Sequence, residues 1–155
     1  MPVRVYSLSG NPLMRLPRAL LFCSLLAAPA LAGDLSIVSA WLREPPPGQT
    51  GAAIYLEVRN AGSAEAVLTG AEVEGAASAS VHGHTMHEGM MHMGETGPLR
   101  VAPGASLVFE PAGYHVMVGG LAARPVAGGS LPFCLMFDGG ARACAEARVK
   151  GVTGN

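Results

Sequence analysis

Charge is scarce in this chain of 155 residues: 14% are Asp, Glu, Lys or Arg, against about 25% in average soluble proteins. Lys150 is the only lysine. At a formal net charge of −1 the chain lacks the basic face that a nucleic-acid partner requires. Aromatic residues are few, at 5%, and Trp41 is the single tryptophan. No apolar run reaches the length of about 20 residues that spans a bilayer. Cysteines number only three. Hydrophobic residues, by contrast, make up 50%, beside 21 glycines and 12 prolines. That much hydrophobicity with so little net charge excludes intrinsic disorder. The glycines and prolines follow no collagen-like period, so they mark turns in a globular chain. A length near 150 residues favours one domain with a real core.

Residues 1–32 read as a secretory signal. Arg4, Arg15 and Arg18 supply its positive start, Ala19 to Ala28 its apolar stretch, and Ala30-Leu31-Ala32 a small-x-small cleavage site. The mature domain is then 33–155, beginning at Gly33. Met14 is an alternative start, because Met14-Arg15-Leu16-Pro17-Arg18 already provides the positive charge. Phe22 places a bulky ring just before Cys23, where a lipid-attachment signal wants a small residue. No membrane anchor beyond the leader is therefore expected. Cleavage removes three cations and no anion, which leaves 123 residues with a charge of −4.

Cleavage also removes Cys23 and leaves Cys134 and Cys144. An even pair in an exported chain favours a disulfide over two inert thiols. A three-residue loop at Asp138-Gly139-Gly140 would set the two directly opposite each other. Their spacing is not the C-x-x-C of a redox-active dithiol.

Turn residues interrupt the mature chain every eight to twelve positions, and no stretch has a helical period. Strands are expected at Leu35–Leu42, Ala53–Arg59, Ala66–Val73, Ala77–His82, Ser106–Phe109, Tyr114–Val118, Leu131–Phe137 and Ala143–Val149. Such spacing indicates an all-β sandwich or barrel. Trp41, Tyr55 and Tyr114 are expected to fill the space between sheets, and Met136 to lie in the core.

From His82 to Met93 the chain reads HGHTMHEGMMHM. Eight of these twelve residues are His or Met, out of thirteen in the whole chain. Core packing explains a lone Met and a hydrogen bond explains a lone His, but neither explains this cluster. Metal binding does. Thioether sulfur is a soft, neutral donor that suits Cu(I) and serves Zn, Mg or Ca poorly. The fifth histidine, His115, stands two residues before Met117. On a strand that spacing sends both side chains to one face. His82 is expected to end one strand and Met93 to open or precede the next, with the ten residues between doubling back. Two His and two Met then assemble from two chain segments. Surplus histidines can also hold Cu(II), which prefers nitrogen.

The spacing His82-x10-Met93-x21-His115-x-Met117 resembles the copper signature of the periplasmic copper chaperone family known as PCuAC. The likeness covers about residues 35–149, including Ser39-Ala40-Trp41-Leu42-Arg43, Pro46-Pro47-Gly48, Ala53-Ile54-Tyr55-Leu56 and Pro111-Ala112-Gly113-Tyr114-His115-Val116-Met117. It implies a cupredoxin-like Greek-key β-sandwich or barrel that binds Cu(I) through His82, Met93, His115 and Met117. It also implies a periplasmic location, with copper passed toward the binuclear site of the cytochrome c oxidase copper subunit alongside a Sco-type protein. Two positions depart from the family pattern. Gly83 stands where many relatives have Glu, and His92 where Arg is common. His84, Met86, His87, Met90, Met91 and His92 lie outside the signature and are candidates for a secondary copper site.

Other functions fit less well. A blue-copper electron-transfer protein needs a Cys thiolate with His nearby, and Cys134 has no local His. No Ser/His/Asp or Cys/His arrangement points to catalysis, so no enzyme is expected. A copper buffer without a dedicated client uses the same ligands as a chaperone.

Overall fold

Apolar residues alternate with polar ones along most of the mature chain, and that period of two builds strands with one buried face. A computed structural model describes residues 34–87 and 89–151, the side chains of 85–87 excepted. The expected leader, 1–32, lies outside the described residues. Among the described residues ten strands follow in chain order: β1 (Leu35–Arg43), β2 (Ala52–Asn60), β3 (Ala66–Val73), β4 (Ser78–His87), β5 (Met90–Glu95), β6 (Leu99–Val101), β7 (Ser106–Phe109), β8 (His115–Gly119), β9 (Ser130–Phe137) and β10 (Arg142–Lys150). No helix among the described residues is long and apolar enough to cross a membrane.

The strands join in the order β5-β4-β8-β2-β1-β10-β9-β3-β6, and β7 also pairs with β2. Every pairing is antiparallel except β1 with β10. The sheet curls so that β3 comes alongside β4 without pairing to it. Leu42, Ile54, Val116 and Val81 form one cross-strand row on the inner face. That row joins Leu56, Val58, Leu68, Val118, Phe133, Leu135 and Phe137 in a single buried core. Full burial of each such side chain is worth about 1.5–3 kcal/mol.

All eight expected strands exist: four are longer by a residue or two, two keep the expected bounds, β8 is shifted by one residue and β4 runs five residues further, to His87. Two strands, β5 and β6, are additional. The His/Met stretch doubles back as expected, but as paired strands and not as a loop. Strand β4 runs on to His87 and β5 returns from Met90 as a hairpin. Gly89, at φ 80°, supplies the positive dihedral that so tight a turn demands.

Three packing expectations are also corrected. Leu42, Ile54 and Leu56 take the inner face, so alternation sends Trp41 and Tyr55 outward, where both are half-buried. Likewise Leu135 and Phe137 point inward and Met136 does not. Only Tyr114 packs against the core as expected.

On the outer face of the other half, Cys134 pairs with Cys144 across β9 and β10, and a disulfide of 2.07 Å joins them. The turn Asp138–Gly140 sets this register. It is closed by the Phe137 amide, which donates to the Ala141 carbonyl at 2.9 Å.

Candidate metal centre

Strands β4 and β8 pair so that His82 stands directly opposite His115. Their ring centres are 5.7 Å apart. A metal bonded at about 2 Å to a ring nitrogen lies about 3 Å from that ring's centre, so one ion can join both imidazoles. The pair continues across the outer face. Tyr55 lies beside His115 with ring centres 6.3 Å apart, and Trp41 beside Tyr55 at 4.7 Å. Lys150 caps the row from β10, with its ammonium 4.6 Å from the Trp41 ring centre. On the far side of His82 stands Glu95 of β5.

Met117 follows His115 by two residues and so shares its face, opposite Ser80. Met93 belongs to the same face but pairs with His84, one step along the hairpin from His82. It is thus diagonal to His82, within reach of a long side chain. His115 is only 7% exposed, whereas Met117 is 42% and Met93 55% exposed. The site therefore has a fixed, buried imidazole floor and two thioethers open to solvent.

Hydrogen bonds aim the rings. The His115 Nδ1–H donates to the Gly113 carbonyl at 3.3 Å, which leaves the Nε2 lone pair for a metal. That carbonyl belongs to a turn in which the Gly113 amide donates to Glu110. Ala112 takes a positive φ of 67° there, a conformation that costs a residue with a Cβ about 1 kcal/mol or more. His82 Nε2 is 3.0 Å from Ser80 Oγ. When Nε2–H donates to that hydroxyl, Nδ1 is free to ligate. Ser80 and His82 stand two apart on β4, so alternation puts both on one face and brings the hydroxyl to the ring.

Gly83 explains one departure from the family pattern. A Cβ there would lie 2.6 Å from Tyr114 Cδ1 and 2.7 Å from Cε1. The Tyr114 ring thus fills the space beside Gly83, next to His82 on β4 and His115 on β8. A glutamate side chain at 83 has no room in this arrangement.

The donor set decides which metals fit. Among the described residues, no three of His, Cys, Asp and Glu converge to hold an ion. Two imidazoles meet, and what stands nearest to complete the set is thioether sulfur. That mixture suits a soft monovalent ion and leaves zinc, magnesium or calcium short of donors. The disulfide withholds the thiolate that a blue-copper centre requires.

The hairpin also places the surplus donors. His84 and the backbone of Met86 and His87 belong to β4, and Met90, Met91 and His92 to β5. Their pairings are Thr85 with His92, Met86 with Met91 and His87 with Met90. Alternation along the strands puts His84 and Met91 on one face of the hairpin and Met90 and His92 on the other.

Known proteins share this architecture. A family model described as "Putative lipoprotein LpqE-like" matches residues 35–149. "Putative lipoprotein Lxx21020" of Leifsonia xyli subsp. xyli is 30% identical over 124 residues, 79% of this chain and 74% of that protein. The apo PCuAC domain from PmoF1 superimposes with a TM-score of 0.63 at 24% identity, covering 77% of this chain and 95% of that domain. The copper-bound PCuAC domain from PmoF2 does so with a TM-score of 0.63 at 22% identity, covering 77% and 94%. The Cu(I) form of DR1885 from Deinococcus radiodurans gives 0.62 at 25% identity, covering 81% and 84%. The fold shared with these domains is all-β and cupredoxin-like.

Proposed function

Because the chain belongs to the family described as "Putative lipoprotein LpqE-like", we propose that it is an exported copper chaperone. It holds Cu(I) through His82, Met93, His115 and Met117. The observation that carries this reading is the cross-strand pairing of His82 with His115, flanked on one open face by two exposed methionines. A similar domain, DR1885, is known in a Cu(I) form. Neutral imidazole and thioether ligands hold Cu(I) without changing its charge. Thioethers at the surface also let an incoming protein displace them one at a time, as a carrier needs.

The leader, cut near Ala32/Gly33, sends the domain to the periplasm. There the client is a copper-receiving protein, with the copper subunit of cytochrome c oxidase as the leading candidate and a Sco-type protein as its companion. The function is carriage, with no catalytic residue assigned. Transfer is the test. Cu(I)-loaded protein is mixed with an apo oxidase copper domain, and the metal is followed by NMR. Movement of copper to the domain supports delivery, whereas retention after equilibration makes the protein a buffer. Mass spectrometry of the exported form is expected to find Gly33 at the N-terminus; a lipid-modified Cys23 would overturn the soluble reading and agree with the family's description.

A further inference from the structure

The four-ligand site uses only part of the β4–β5 hairpin. Beyond His82 the two strands stay paired to the turn, and β5 forms the edge of the sheet. Alternation puts His84 and Met91 on the same face as His82 and Met93, and puts Met90 and His92 on the other. Direct cross-strand partners lie about 4.5–5.5 Å apart at Cβ, and diagonal ones about 7–8 Å. Met93 is the direct partner of His84 and the diagonal neighbour of His82. Met91 is in turn diagonal to His84. One thioether, Met93, thus stands between two imidazoles, with a second thioether farther out.

These outer groups are open. Met91 is 68% exposed, and His84 is exposed beside it. Methionines this bare on an edge strand add nothing to the core and invite association with other edges. Such a cost points to a use.

We propose that His84, Met91 and Met93 form a second, outer Cu(I) site that shares Met93 with the inner one. It serves as an exit station at the sheet edge. This inference rests on the inner site proposed above. Copper moves outward by ligand exchange alone. Dative bonds from His82, His115 and Met117 break as bonds from His84 and Met91 form, while Met93 stays attached. The ion remains Cu(I), and neither electron nor proton changes hands. An acceptor then meets copper at the edge without reaching the buried His115.

The experiment is an anaerobic Cu(I) titration of the mature chain against a chromophoric chelator, with methionine methyl groups followed by 13C NMR. Two ions per chain are expected, the weaker one shifting the Met91 methyl. The variant H84Q/M91L is expected to keep the tight ion and lose the weak one. H115Q/M117L is expected to keep only a weak ion, which is lost when the two pairs of substitutions are combined. M90L/H92Q, altered on the opposite face, is expected to leave both ions in place. A wild-type chain that binds one ion, unaffected by H84Q/M91L, overturns the outer site and leaves the inner one standing. Loss of the second ion in M90L/H92Q but not in H84Q/M91L also overturns it. A wild-type chain that binds no Cu(I) brings down the inner site as well. Should H115Q/M117L fail to fold, the H84Q/M91L stoichiometry decides alone.

Discussion

Two cross-strand rows occupy the outer face of one sheet. Across β5, β4, β8, β2 and β1 the row runs Glu95, His82, His115, Tyr55 and Trp41. Across β3, β9 and β10 it runs Glu72, Cys134 and Cys144, beside an ion pair of Arg142 with Glu72. Apart from the edge strand β5, both rows sit on strands whose inner residues form the common core. One is closed by a covalent bond. The other holds a buried His115 imidazole beside the exposed thioethers of Met93 and Met117, with Tyr114 packed against Gly83 next to it. The inner face builds the fold, which frees the outer face for a disulfide clamp in one half and for the proposed copper site in the other.

The largest effect that separates the halves is on copper. Met117→Ala or His115→Ala is expected to weaken Cu(I) binding by more than about 100-fold, beyond the 10–100-fold typical of losing an outer partner. Competition with a Cu(I) chelator measures it. Replacing both Cys134 and Cys144 with alanine should do the reverse. Stability falls by about 2–3 kcal/mol in denaturant titrations, while Cu(I) affinity stays put; a parallel loss of affinity would show the halves to be coupled. Gly83→Ala blurs the division by design. Its Cβ meets the Tyr114 ring, so about 1–3 kcal/mol of stability is lost and copper affinity drops with it. Adding Tyr114→Ala is expected to recover part of the affinity. The smallest effect belongs to Ser80→Ala. Losing a partner of His82 is expected to weaken Cu(I) binding about tenfold with the melting temperature unchanged.

The disulfide half is the more legible in sequence. Leu131–Phe137 and Ala143–Val149 alternate cleanly around a Gly-containing turn, and that spacing alone sets Cys134 opposite Cys144. The half with the proposed copper site is legible in its candidate donors but not in its backbone. His115-x-Met117 on a strand announces a shared face. Yet Gly83, Gly89 and Gly94 break up the stretch around the cluster, and its His and Met residues carry no strong strand preference, so β5 reads as loop. The diagonal placement of Met93 depends on the hairpin register, which the turn at Gly89 sets. Trp41 and Tyr55 depart from expectation because aromatic residues in a small sandwich usually fill its interior. Here Leu42, Ile54 and Leu56 already do so. Ser80 stands two residues before His82 on the same strand, but a serine in a strand is ordinary and only its contact with the ring gives it a role.

The central claim is that the first Cu(I) binds on the outer face among His82, Met93, His115 and Met117. It is tested most directly by 13C NMR of the methionine methyl groups as one equivalent of Cu(I) is added to the mature chain. The methyls of Met93 and Met117 are expected to shift together and saturate at one ion, while that of Met136, on the disulfide half, stays still. A first equivalent that moves the Met136 methyl, or leaves Met117 unmoved, would contradict the account.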